Sequence, residues 1–111
     1  MNEEIKEYKE RMEDTIELLG YKALRYSLFA GENNHREEYQ IRIEYIDGFF
    51  EVYVTGERAS VSGVNKFDEF SDARMEFLIK AQLMILRNRR RVRDEKPTDY
   101  SCPLWDKDKV K

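Results

Sequence analysis

Apolar residues recur at two periods along the chain, and the period switches twice. Ile5, Tyr8, Met12, Ile16 and Leu19 lie three or four apart, which is the repeat of one helical face. The spacing predicts a helix over residues 3–19. Acids fill its first turn, where the helix dipole favours them, and Gly20 stands at the C-cap. The period then falls to two. Leu24, Tyr26 and Leu28 alternate with Arg25, Ser27 and Phe29, which reads as a strand. Residues 31–37, Gly-Glu-Asn-Asn-His-Arg-Glu, form a polar loop. Beyond it Tyr39, Ile41, Ile43 and Tyr45 alternate with Gln40, Arg42, Glu44 and Ile46 as a second strand.

Asp47-Gly48 is a two-residue hairpin signal between alternating runs. It sets a register in which Ile46 faces Phe49, Glu44 faces Glu51 and Arg42 faces Tyr53. On the other face Tyr45 meets Phe50, Ile43 meets Val52 and Ile41 meets Val54, so that face is the core face. Gly56-Glu57 suits a second tight turn, of type II′. Counting from it, Thr55 faces Arg58, Tyr53 faces Ser60 and Glu51 faces Ser62, while Ala59 and Val61 join the core face.

The helical period returns with Phe70, Ala73, Phe77, Leu78, Ala81, Met84 and Ile85. A helix is predicted over residues 69–93, with Asp68 as N-cap and Pro97 marking its end. The expected fold is α+β: a four-stranded antiparallel meander with the N- and C-terminal helices packed on one face. Residues 1–94 form the single domain. Residues 95–111 are a polar tail, for which a flexible state and docking through Trp105 are both open.

Composition narrows the chemistry. The chain has 111 residues, 41% hydrophobic and 39% charged, enough for one compact core and too apolar for a disordered acidic chain. One Cys, Cys102, excludes an internal disulfide and a Cys-based zinc site. One His, His35, excludes most His-dependent metal and triad chemistry, and no spacing brings it within the roughly 3 Å of Cys102 that a catalytic pair needs. There is no phosphate-binding glycine loop. No apolar run approaches the roughly 18 residues of a membrane span, and the acidic N-terminus is unlike a signal peptide, so the expected compartment is the cytoplasm. No catalytic residue, metal or cofactor is expected.

The net charge of −3 is unevenly spread. Residues 1–20 hold seven acids against three bases, and residues 68–111 hold eleven bases against nine acids. Arg87, Arg89, Arg90, Arg91 and Arg93 crowd one helix end but go round the helix instead of lining one face. That pattern reads as a solvated end partly paired with the acidic first helix. The alternative is a nucleic-acid-binding or regulatory adaptor module, which the acidic chain and the lack of interleaved aromatics disfavour.

The outer sheet face should carry Arg25, Phe29, Gln40, Arg42, Glu44, Ile46, Phe49, Glu51, Tyr53, Ser60 and Ser62. Aromatics mixed with arginines and acids are typical of protein interfaces. Glu44 and Glu51 oppose each other there, neutralised by Arg42 or Arg25 or kept for a basic partner. The expected partner-binding set is Arg25, Arg42, Glu44, Phe49, Glu51, Tyr53, Glu57 and Arg58. A homodimer through this face or through Trp105 is a further reading.

The run Tyr21-Lys22-Ala23-Leu24-Arg25-Tyr26-Ser27 resembles the opening strand of a family of small bacterial immunity proteins. So do Ile41 through Asp47-Gly48 to Glu51-Val52-Tyr53, and Glu57-Arg58-Ala59-Ser60. The resemblance covers residues 5–86. It implies a non-enzymatic inhibitor, encoded beside a polymorphic toxin, that binds and neutralises the cognate toxin domain in the cytoplasm. The expected mechanism is occlusion of the toxin's active site or substrate groove through the outer sheet face, the hairpin loops, or both. An acidic inhibitor would associate quickly with a basic, nucleic-acid-acting toxin through electrostatic steering.

Overall fold

Helix α1 runs over Glu3–Leu19. The Asn2 side chain caps it by accepting the Ile5 N–H at 2.8 Å. Gly20 ends it in the left-handed region at φ 75°, where a side chain would be strained. Ile5, Met12 and Ile16 are buried. The computed structural model describes residues 2–31 and 34–106, so Glu32 and Asn33 of the polar loop and residues 107–111 of the tail lie outside the described residues.

The strands are β1 (Tyr26–Leu28), β2 (Ile41–Ile46), β3 (Phe49–Val54) and β4 (Asn65–Phe67), adjacent in that order in one sheet. The β2–β3 hairpin has the predicted register throughout, from Ile46 opposite Phe49 to Ile41 opposite Val54. Two other expectations are corrected. First, the sheet is mixed and not a full antiparallel meander: β1 pairs with β2 in parallel, Tyr26 opposite Ile41 and Leu28 opposite Ile43. The segment 29–40 is long enough to cross over and re-enter in the same direction. Two aromatic residues turn its ends in the left-handed region, Phe29 at φ 51° and Tyr39 at φ 54°.

Second, Gly56-Glu57 is not a hairpin turn, and Thr55–Arg58, Tyr53–Ser60 and Glu51–Ser62 do not pair. Glu57–Ala59 is a short 3-10 turn with Arg58 and Ala59 both at positive φ. The strand facing β3 begins only at Asn65, with Phe50 opposite Phe67 and Glu51 opposite Lys66. Phe67 therefore packs on the core where Ala59 and Val61 were expected, and Val61 is exposed. The cause lies in the crossover. The Thr55 N–H donates to the Gln40 carbonyl, and its hydroxyl accepts the Gln40 N–H and donates to the Glu37 carbonyl. The Arg58 N–H donates to the Glu38 carboxylate at 2.6 Å. Past Val54 the chain is thus tied to the crossover and does not turn straight back.

Helix α2 spans Phe70–Arg93; Glu69, not Asp68, stands at its N-cap and makes no side-chain capping bond. Both helices share one core with the same sheet face, as expected. Tyr8 of α1 stacks on Phe70 of α2 at 4.1 Å and meets Phe50 edge-on at 5.7 Å. Val54 is half-buried, and Tyr45, expected in the core, is 44% exposed at the hairpin end. Beyond α2 the chain returns along the helix. Cys102, Leu104 and Trp105 are buried, so Trp105 is docked.

Candidate functional site

The sheet face away from the helices is the first place to look for a site, and half of it is closed. Gly31 and residues 36–40 bond across β2 and β3, and Gln40, Arg42, Glu44 and Tyr53 are buried where exposure was expected. Arg42 is 0% exposed, and all of its donor nitrogens are used. Nη2 donates to the Gly31 carbonyl at 2.7 Å and to Glu44 Oε2 at 2.8 Å. Nη1 donates to Gln40 Oε1 at 2.7 Å, and Nε to the Tyr53 hydroxyl at 3.1 Å. Glu44 Oε1 in turn accepts the Gly31 N–H at 3.1 Å. A buried guanidinium is tolerable when it is paired and its donors are satisfied. Here the arrangement latches the crossover to the sheet.

Of the expected partner-binding residues, Arg42, Glu44 and Tyr53 are therefore internal. The opposed Glu44 and Glu51 have separate counter-charges: Arg42 for the first and Lys66, at 3.9 Å, for the second. Lys66 lies on the strand the sequence misplaced. Arg25 is half-buried over the Tyr100 ring at 4.3 Å and donates to the Glu38 carbonyl. Glu57 and Arg58 are exposed in the 3-10 turn, and Phe49 is 42% exposed at the hairpin tip.

The arginine run does not pair with α1. Arg87 meets Asp99 at 3.1 Å, Arg89 donates to the Leu104 carbonyl, Arg91 to the Pro97 carbonyl, and Arg93 pairs with Asp94. Arg87, Arg89 and Arg91 hold the returning tail. Tyr100 sits in this seam. Its hydroxyl accepts the Arg25 N–H at 2.9 Å, and its carbonyl accepts the Trp105 indole N–H. Burial pushes the Tyr100 phenol up to about 12, against the opposing effect of the Arg25 bond. Burial also raises the Cys102 thiol, which lies 3.5 Å from the Ala23 carbonyl.

The opposite end of the molecule is open and acidic. There the N-termini of both helices and the hairpin tip converge on a cleft of about 160 Å³ lined by Glu4, Tyr8, Tyr45, Phe50, Asp68 and Glu69. The Tyr8 hydroxyl donates to Glu4 Oε1 at 2.7 Å, and this bond raises the phenol's pKa. Tyr45 and Ile5 also line a second cleft, together with Phe29 and Ile46. The sequence reading missed Tyr8, Tyr45, Asp68 and Glu69 because it assigned each to a helix or core face without placing those elements end to end. Among the described residues no His, Cys, Asp or Glu cluster could hold a metal ion. No described helix is long and apolar enough to cross a membrane.

No curated protein and no solved structure matches the chain. The family model for immunity protein 59, Imm59, matches residues 5–106, a span that continues past the resemblance at 5–86 through the arginine run and Trp105. The helices, the mixed sheet and the docked tail all lie within that match, and the chain belongs to the Imm59 immunity protein family.

Proposed function

We propose that this protein neutralises a toxin domain by seating the hairpin end of its fold over the toxin's working groove. One observation carries the reading: Tyr45, 44% exposed, lines a cleft with the acids Glu4, Asp68 and Glu69, and Phe49, 42% exposed, stands in the same hairpin next to its Asp47-Gly48 turn on the other sheet face. Exposed aromatics anchor interfaces, and acids around them suit a basic partner such as a nucleic-acid-acting toxin. The footprint extends from Phe49 along β3 through Glu51 toward Glu57 and Arg58. That strand is about 20 Å long, within the reach of a standard interface. Arg25 lies at its margin. Arg42, Glu44 and Tyr53 contribute from beneath by holding the crossover in place. On this reading the protein acts in the cytoplasm of the cell that makes the toxin.

The test uses the purified toxin domain encoded beside this gene. Tyr45→Ala and Phe49→Ala should each weaken binding about tenfold or more, as anchor truncations do. The charge reversal Asp68→Lys/Glu69→Lys should slow association. Tight binding retained by all of these variants, with thermal melts like that of the native protein, would remove the hairpin end from the interface.

A further inference from the structure

Helix α2 has a second apolar face. Met75, Ile79, Leu83 and Leu86 are between 41% and 59% exposed. At about 100° per residue they fall within roughly 80° of arc, opposite the buried stripe of Ala73, Phe77, Ala81 and Met84. Four large apolar side chains in one row make a continuous patch, unlike singly scattered surface residues.

The charges at the ends of this row say what covers it. Asp72 precedes it and Arg90 follows it on the same face, about 27 Å apart along the helix. Arg87, Arg89, Arg91 and Arg93 each hold a partner within the chain. Among the described residues Asp72 and Arg90 make no ion pair or side-chain hydrogen bond. The row is thus acidic at one end, basic at the other and apolar between, which makes it complementary to itself when reversed.

We propose that two copies of this chain pair through α2, antiparallel about a two-fold axis. With Ile79 of one copy facing Leu83 of the other, Met75 meets Leu86 and Asp72 meets Arg90. Each contact then occurs twice and the assembly closes as a dimer. The hairpin tip and the open half of the sheet lie outside the paired face, while Asp72 lies three positions from Glu69 of the acidic cleft.

Sedimentation equilibrium on the full chain, from micromolar to millimolar, tests this. The expected result is a concentration-dependent mass reaching that of two chains. Leu83→Asp should give a monomer with an unchanged circular dichroism spectrum and melt. Asp72→Arg should weaken pairing about tenfold, since it sets like charges together, and the swap Asp72→Arg/Arg90→Asp should restore it. A native protein monomeric at every concentration overturns the proposal. So does a charge swap that restores nothing. If the native protein is monomeric and Leu83→Asp abolishes binding to the toxin domain, the toxin and not a second copy occupies this face.

Discussion

Arg42 is the residue on which the far side of the sheet depends. Its guanidinium bonds Gly31, Gln40, Glu44 and Tyr53 at once, so one side chain joins two strands to the start of the crossover. Removing one partner of such a pair strands the other in a dry site. Arg42→Met should cost about 3–5 kcal/mol in urea unfolding, whereas Arg42→Met/Glu44→Leu should cost less than the single change. A double-variant loss equal to the sum of the Arg42→Met and Glu44→Leu losses would show that the pair is not coupled. The residue pattern identified this position but not its environment. Arg42 and Glu44 alternate with Ile41, Ile43 and Tyr45, and alternation reports only that a side chain faces away from the core. What lies over that other face is set by a segment of irregular backbone, which has no period to read.

Among the elements, the hairpin was legible because Asp47-Gly48 sits between long alternating runs and fixes every pair from Ile46–Phe49 to Ile41–Val54. Gly56-Glu57 carried a similar cue, but Thr55 and Arg58 bond Glu37, Glu38 and Gln40, and these contacts outweigh local turn preference. The direction of β1 was illegible for a different reason: three residues suffice for a strand but not to tell parallel from antiparallel. The tail's docking also had no local signal, since it depends on α2 arginines reaching the Pro97 and Leu104 carbonyls. Tyr100 makes that docking pH-sensitive. Its phenol is raised from 10.0 to about 12 in the fold. Below pH 10 it is neutral whether folded or not, and its contribution is complete. Between pH 10 and 12 the unfolded chain releases the proton first, so stability falls as pH rises. Tyr100→Phe should melt lower at neutral pH, having lost the acceptor for the Arg25 N–H, and should show a shallower decline in melting temperature above pH 10. Parallel declines would mean that Tyr100 titrates normally.

The whole molecule is electrically polar. Acids gather where the two helices begin, and arginines gather at the far end of α2, a helix of 24 residues and so about 36 Å long. A single copy of such a molecule approaching a basic partner is turned acidic end first. Association with the toxin domain should slow steeply as salt rises in stopped-flow mixing, while dissociation changes little. An association rate indifferent to salt would mean that the aromatics act without steering. The family was legible in the Tyr21–Ser27 and Ile41–Tyr53 runs. The clustering of Tyr45 with Asp68 and Glu69 was not, because it arises only when separate elements meet in space. The tail seam bears on how the chain is born. Arg25 bonds a residue 75 positions later, and Ala23 one 79 positions later. At about 5–20 residues per second, the ribosome needs roughly 4–15 s to deliver those partners. The segment leading into β1 therefore stays unclosed through most of translation, and the finished fold exists only once Trp105 has emerged.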